Sequence, residues 1–502
     1  MQKQHKINNI VVVGGGSAGW LTALTVHAYQ PDKNIVLIES DDIGILGAGE
    51  GTIPHFTEAM LNILNIDFTD LINNTNGTVK NSIKFTGWNK SNIDFHHTFN
   101  AFGPLSYNSY NDKQDQTSLL ISHLYANNDN IINKEAISSL SEETKVPILK
   151  DNLERLAPFA VHFDAQLLAK YLRTLAIERG VTRVEGIIAS YDEDNSGDIT
   201  NVILKDGKNI PCDFIFDCSG LHRQIIGKHY NSEWISYKDS LPVNRALPFF
   251  IKTDNDHNLH PYTEAIAMKY GWVWKIPVQG RYGCGYVFDS NYLTDDQALQ
   301  EVKELFGEDI TSPRQFSFEA GRYKEVWKNN CIAIGLSQGF IEPLEATSIY
   351  VSCVSLITAL SNFYKLEKRD QLFIDEYNNI FAKRMQEILD FIYFHYITDR
   401  TDTDFWKHFT IRNKVPDSLK EKLLTWQKRL PVESDLNHKA IFGLHSWLMI
   451  GTGNNFINKD RYQQEIFDYN NFNINIEEYN KRKERAVNDS ILHKDFLNIL
   501  KK

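Results

Sequence analysis

Residues 10–20 read IVVVGGGSAGW. The apolar run Ile10–Val13 has the character of a short buried strand, and it stops at a cluster of glycines. Residues 20–30 are predicted to be helical. Next comes Asn34–Glu39, NIVLIE, a second buried strand that ends in an acid. Strand, helix and strand at this spacing make a βαβ unit. Within it, Gly14, Gly16 and Gly19 form GxGxxG between the first strand and the helix. Gly14 permits the tight turn, Gly16 lets backbone approach a pyrophosphate, and Gly19 lets helix and strand pack closely. Ser17 and Ala18, just before the helix, join the glycines as cofactor-binding candidates, because the helix start offers unpaired N–H groups and a partial positive charge that favour an anion. Glu39 lies 20 residues beyond Gly19, at a strand end, where a carboxylate would hold ribose hydroxyls. An α/β fold with a bound dinucleotide is expected; the alternative is a glycine turn without a ligand.

Two segments bear on which dinucleotide it is. Asp213–Gly220, DFIFDCSG, is a strand ending in an acid and small residues, the kind that returns to the cofactor in two-dinucleotide flavoproteins; it also reads as a plain buried strand and turn. Gly47–Pro54, GAGEGTIP, is too glycine-rich to pack a core, so it is expected to lie against a ligand or a helix end.

The remaining chain supplies bounds. Its 502 residues are ample for a large core or for two or three modules. The net charge of −11 and the lack of a long basic run argue against a nucleic-acid surface. The five cysteines, Cys212, Cys218, Cys284, Cys331 and Cys353, form no CxxC pair and read as buried free thiols. The polar start MQKQHKINN is no signal peptide, and no stretch has transmembrane length, so a cytoplasmic location and no membrane partner are expected. Ala165–Arg179 is predicted helical, Arg183–Tyr191 and residues 199–217 are predicted as strands with a turn at Asp206–Gly207, and aromatic strands fill about 245–290. From about 348 the pattern turns helical. The expected division is 1–370, an FAD-binding and reaction core with inserted pocket segments near 80–160 and 235–325, and 371–502, a mostly helical module.

Three further segments carry chemistry. Gly271–Pro277, GWVWKIP, puts Trp272 and Trp274 on one face of a strand; they form a rigid wall or an aromatic core. Ser337–Tyr350, SQGFIEPLEATSIY, leads from Glu345 into an apolar helix whose first N–H groups could hold an anion, with Thr347 or Ser348 as a simple cap in the plainer reading. Thr78–Trp88, TVKNSIKFTGW, interrupts a half-buried element with Lys80 and Lys84, either of which could be an ordinary solvated lysine. His96–His97 has no partner at ligand spacing, so no metal is expected.

GGGSAGW, GEGTIP, the Lys80 segment, DCSG, WxWxIP, GFIEPLEATSI and TDTDFW (Thr401–Trp406) together resemble the flavin-dependent tryptophan halogenase family along nearly the whole chain. The resemblance implies a flavin-monooxygenase-like FAD module joined to a mostly helical substrate module, with Gly49, Leu336 and Ile349 joining the glycine turn at the cofactor. It implies that FADH2 from a separate flavin reductase, with oxygen, turns halide into hypohalous acid, which passes through a tunnel to Lys80, not Lys84. It makes Glu345 the active-site glutamate, Thr347 and Ser348 the halide-binding backbone positions, and Trp272, Trp274 and Pro277 the wall between substrate and flavin. The stretch NAFGP puts Asn100 where tryptophan-specific members carry a histidine and retains Phe102 in the pocket. The paired tyrosines and glutamate that clasp the free amino acid in those members have no match. The expected substrate is therefore an indole-like or other electron-rich arene. An aromatic hydroxylase and a degenerate flavin-binding homologue are the rival readings, and a homo-oligomer remains open.

Overall fold

The computed structural model describes residues 5–44, 47, 49–99, 135–253, 259–307, 309–312, 314–411, 414–437, 440–458 and 476–501. Two compact units are present, each assembled from three stretches of chain. The first comprises Met1–Asn76, Phe163–Lys238 and Phe318–Met385; the second comprises Gly77–His162, Asp239–Ser317 and Gln386–Lys502.

The first unit is built on a six-stranded sheet in the order Trp327–Lys328, Cys331–Ala333, Phe214–Asp217, Asn9–Val13, Asn34–Glu39, Thr182–Glu185. All its pairings are parallel except that of Trp327–Lys328 with Cys331–Ala333. Ile10, Val11 and Val12 are fully buried because a parallel sheet is covered on both faces. Full burial of each such side chain stabilises by roughly 1.5–3 kcal/mol. The helix Ser17–Tyr29 is apolar on every side, and it packs against the sheet and against the helices Ala165–Glu178 and Thr347–Leu360. The predicted βαβ unit is present, with Asn34–Glu39 matching its expected bounds and the helix starting three residues earlier than expected. The predicted strand Arg183–Tyr191 is two strands, Thr182–Glu185 and Ile188–Glu193. Gly186 breaks it: its N–H bonds to the Glu39 carbonyl, and a Cβ there would sit 2.7 Å from Leu204. Ile188–Glu193, Ile199–Leu204 and Asn209–Pro211 form an antiparallel sheet with the expected turn at Gly207, where φ is +86°. All five cysteines are free and buried.

The second unit holds a seven-stranded sheet in the order Phe316–Ser317, Arg245–Lys252, Arg281–Phe288, Gly271–Val278, Tyr262–Ala267, Ser82–Thr86, Phe95–Thr98. Every pairing is antiparallel except the parallel one between Tyr262–Ala267 and Ser82–Thr86. Leu247, Phe249, Val273, Tyr286 and Phe288 form its core with Ala298 and Val302 of the helix Asp295–Phe306. That helix begins at Thr294 in a capping box with Gln297. Among the described residues the C-terminal stretch holds helices joined by loops and one strand, Ser490–Leu492. There Thr403 caps a short helix, and Trp406, buried, donates from Nε1 to the Met268 carbonyl at 2.9 Å. No helix among the described residues is long and apolar enough to cross a membrane.

Candidate active site

The three glycines of the turn have different surroundings. Gly14 has φ +117°, and a Cβ on it would lie 2.2 Å from the Cys218 carbonyl oxygen. A Cβ on Gly19 would lie 1.8 Å from the Gly14 carbonyl oxygen, so the helix sits directly on the strand end. At Gly16 a Cβ would meet nothing within 4 Å. Of these three glycines, Gly16 is the one that faces open space, beside a helix start that has no side-chain cap and beside the buried Ser17 hydroxyl, which has no hydrogen-bond partner. Uncapped amides, a spare hydroxyl and room for a group at Gly16 fit the pyrophosphate of FAD.

Glu39 lies at the neighbouring strand end. Its Oε1 accepts from Arg183 Nε at 2.6 Å and from Arg173 Nη1 at 3.3 Å. Its Oε2 occupies the space beside Gly15, where a Cβ would be 1.4 Å away. The middle glycine of the GGG run, Gly15, is therefore required by Glu39, a reason the motif alone does not reveal. Arg173 and Arg183 also escape a sequence reading, because nothing local marks them as partners of a residue more than a hundred positions away. The ion pair with Glu39 pushes Arg183 up from its ordinary value.

DFIFDCSG returns to the turn through the Cys218 carbonyl. Its acid, Asp217, is structural: the buried carboxylate accepts from Ser219 N and Oγ and from the Ile225 and Ile226 amides, at 2.6–3.1 Å. In the GAGEGTIP loop, Gly49 is buried and Gly47 has φ +143°. Burial first, and then the Asp164 charge, push Glu50 up to about 7. His55, just after the loop, meets Tyr350 edge-on at 5.2 Å, so the loop reaches the helix that follows Glu345. Leu336 lies on a short turn whose Gly335 would place a Cβ 2.7 Å from Ala18 Cβ, which puts the turn on the start of the glycine helix. Ile349 is buried on Thr347–Leu360.

Glu345 and Ala346 are successive non-glycine residues in the left-handed region, at φ +67° and +53°. Such conformations cost on the order of 1–2 kcal/mol each, and they cluster at functional turns. The following helix starts at Thr347 with Ala346 as its cap position and no side-chain cap bond. Thr347 and Ser348 lie inside the helix and not at its cap position. Glu345 is 2% exposed, so its carboxylate is held inside the protein.

Lys80 and Lys84 occupy different environments in the second unit. Lys80 is 0% exposed, at the end of the strand Thr78–Lys80, with its ammonium 5.2 Å from the centre of the Phe99 ring. Lys84 pairs with Glu142 at 2.9 Å and Asp94 at 3.6 Å, with 16% of its side chain exposed. Trp272 and Trp274 are both buried with ring centres 6.3 Å apart, and Trp274 covers Gly285 of the next strand, where a Cβ would be 2.1 Å from its ring. The Pro277 carbonyl accepts from the Thr78 hydroxyl at 2.7 Å, tying this strand to the one that carries Lys80. His96 is a core histidine bonded to Ser82 Oγ at 2.9 Å and Glu142 at 2.8 Å. Asn100 and Phe102 lie outside the described residues.

A parallel sheet with a glycine turn shaped for a pyrophosphate, joined in one chain to a second unit with a wholly buried lysine, defines a flavoenzyme of the Rossmann type. The chain belongs to the tryptophan halogenase family, whose model matches residues 9–466. It is 30% identical over 475 residues to the tryptophan 6-halogenase SttH of Streptomyces toxytricini, covering 89% of each chain, and 31% identical over 461 residues to the tryptophan 7-halogenase RebH of Lentzea aerocolonigenes, covering 87% of this chain and 84% of that one. Among solved structures it is similar to Xcc4156, a flavin-dependent halogenase from Xanthomonas campestris, with a TM-score of 0.86, 29% identity and 98% of each chain covered. The protein is thus an FADH2-dependent halogenase, an oxidoreductase, and the hydroxylase reading is not favoured.

Proposed function

We propose that this halogenase acts on an indole or another electron-rich arene without a free amino-acid backbone, with Lys80 delivering the halogen and Glu345 receiving the ring proton. The observation that carries the reading is the complete burial of Lys80: an ammonium is costly to take out of water, and a lysine placed wholly inside the protein serves chemistry more readily than packing. FAD would be held by Gly14, Gly16, Ser17, Ala18, Gly19, Glu39, Gly49, Leu336 and Ile349, and with oxygen its reduced form supplies the two-electron oxidation of halide to hypohalous acid. A separate flavin reductase is the expected source of FADH2. The amides at Thr347 and Ser348 are suited to hold the halide, because they begin a helix with no side-chain cap.

The chain's own residues then have defined tasks. The Lys80 ammonium donates to the hypohalous acid oxygen, making the halogen more electrophilic, or its amine carries the halogen covalently. The arene attacks the halogen, its ring carbon becomes positively charged, and the Glu345 carboxylate stabilises that charge and takes the proton. The overall change is Ar–H + HOX → Ar–X + H2O. The Trp272–Trp274 face, with Pro277 behind it, is suited to exclude bulky substrates from the oxidising centre.

The test uses purified protein, a flavin reductase, bromide and an aromatic library, with Lys80→Ala in parallel. Brominated product from the wild type and none from Lys80→Ala, at equal rates of reduced-flavin oxidation, is the expected result. A product heavier by one oxygen would identify a hydroxylase, and no product at all a degenerate homologue. An active Lys80→Ala with an inactive Lys84→Ala would move the role to Lys84.

A further inference from the structure

The strand Thr78–Lys80 is three residues long and lies at the edge of its sheet. On one edge it pairs antiparallel with Ala160–Phe163, Thr78 opposite His162 and Lys80 opposite Ala160. The buried Val79 amide is taken by an imidazole: its N–H donates to His493 Nε2 at 3.0 Å. His493 Nδ1 in turn reaches the Leu259 carbonyl at 2.8 Å. A carbonyl only accepts, so Nδ1 carries the proton and Nε2 is the bare acceptor.

A second imidazole is fixed by the same donor count. The Pro277 carbonyl takes the single Thr78 hydroxyl proton, so the 3.0 Å contact between Thr78 Oγ1 and His162 Nδ1 must use a proton on Nδ1. His162 Nε2 is then the acceptor for the Thr263 hydroxyl at 2.9 Å. Both rings are 0% exposed. Burial holds His493 down to about 4, and burial, with the Lys80 charge adding to it, holds His162 well below the usual histidine range. Both are therefore neutral at working pH, as the two hydrogen-bond chains require.

We infer that His493 and His162 are positioning residues for Lys80: two neutral imidazoles that lock the short edge strand in place, one by accepting the Val79 amide and the other through Thr78 and the Pro277 carbonyl. The inference rests on Lys80 as the halogen-delivering group. It gives the last helix of the chain, His493–Leu500, a task in a reaction whose named residues all lie before position 350. A strand of three residues has too few ladder bonds to fix a long flexible side chain, and a displacement of about 1 Å at a reacting group is enough to cost on the order of a hundredfold in rate. A misplaced lysine would still leave hypohalous acid formation intact. The signature is therefore leakage: oxidant made at the normal rate but lost before it reaches the arene.

The experiment compares His493→Phe, which keeps the ring shape and removes both hydrogen bonds, with His493→Gln, which can restore an acceptor for Val79. With FADH2, oxygen, bromide and indole, the yield of bromoindole is measured against hypobromous acid trapped by an added thioether, alongside FAD affinity and melting temperature. The expected result is a product-to-trapped ratio about tenfold lower in His493→Phe at unchanged flavin oxidation, recovered to within about threefold in His493→Gln. A wild-type ratio in His493→Phe overturns the inference, as does a loss of flavin oxidation in step with product. Should His493→Phe fail to fold, Thr263→Val carries the test, since it removes only the donor to His162 Nε2. A reduced ratio there supports the positioning role, and a wild-type ratio overturns it. Lys80→Ala run alongside separates the two levels: if it still brominates indole, it is the role of Lys80 that fails.

Discussion

Single residues in this protein can be told apart by what a methyl group would meet. Gly14 and Gly19 are glycines because backbone lies where a Cβ would go, and substituting either should cost on the order of 1–3 kcal/mol of stability. Gly16 is a glycine although nothing crowds it. Gly16→Val is therefore expected to leave the melting temperature of the apoprotein unchanged while weakening FAD binding by a factor of about a hundred or more, measured by flavin fluorescence. Unchanged flavin affinity would remove the pyrophosphate from this position. Glu345 is separable in the same way. Its left-handed backbone belongs to the turn, and a glutamine keeps the shape of the side chain, so the fold is expected to depend little on its charge. Glu345→Gln should lower the single-turnover halogenation rate about a hundredfold or more and hardly move the melting temperature. A cap would behave in reverse, losing about 1 kcal/mol of stability and keeping its rate.

At the scale of elements, the strands Ser82–Thr86 and Phe95–Thr98 are joined to the helix Ala136–Glu142 by one carboxylate. Glu142 accepts from His96 Nε2 at 2.8 Å and from Lys84 at 2.9 Å, and these partners, His96 first, hold its carboxyl down to about 2. A carboxyl whose folded value lies below its unfolded value stabilises above the unfolded value, near 4.5, and loses that contribution as pH falls towards 2. Glu142→Gln is expected to be less stable than the wild type at pH 7 and to converge with it near pH 2, read as melting temperature against pH; a constant gap would show that the charge is unimportant. The half-exposed carboxylate makes the effect modest. This network shows where sequence reading ends. Local patterns revealed the βαβ unit, the glycine roles and the acid at Glu39, since each depends on neighbours within about thirty residues. The partners of Glu39, Glu142 and Thr78 are brought from distant positions by sheet pairing, and no periodicity signals that Arg183, His96 or His493 will arrive there. Lys80 and Lys84 look alike in the sequence, and only the fold gives one a carboxylate and buries the other.

For the whole molecule, both units are woven from three separated stretches, so neither has a composition or a linker that would mark its edges, and the pocket chemistry must be read from what the fold gathers. In the second unit the helix Leu444–Gly453 packs on the strand Phe95–Thr98, with Gly453 directly against the Phe95 ring. Trp447 lies 5.0 Å from Phe391, which stacks on Phe442 at 3.9 Å, and His97 lies beside both phenylalanines. His445 on the same helix is held down to about 4, by burial first and by His97 second. The aromatic rings offer stacking faces, and the neutral His445 imidazole offers a hydrogen-bond acceptor. A free amino acid would bring an ammonium and a carboxylate, and each of these costs several kcal/mol to bury unless it meets a charged partner. An indole brings one N–H, which a neutral imidazole can accept. Indole or a simple alkylindole is therefore expected to outcompete free tryptophan by about tenfold or more in kcat/KM. Bromide is expected to serve at least as well as chloride, because it is the more easily oxidised halide. The deciding measurement is a competition with equal concentrations of indole and tryptophan, FADH2 and bromide, with both products quantified by mass. Preferential bromination of tryptophan would show that the segment near Asn100 or the C-terminal helices supply the missing charges. The enzyme would then be a halogenase of the free amino acid that uses clasp residues different from those of its relatives.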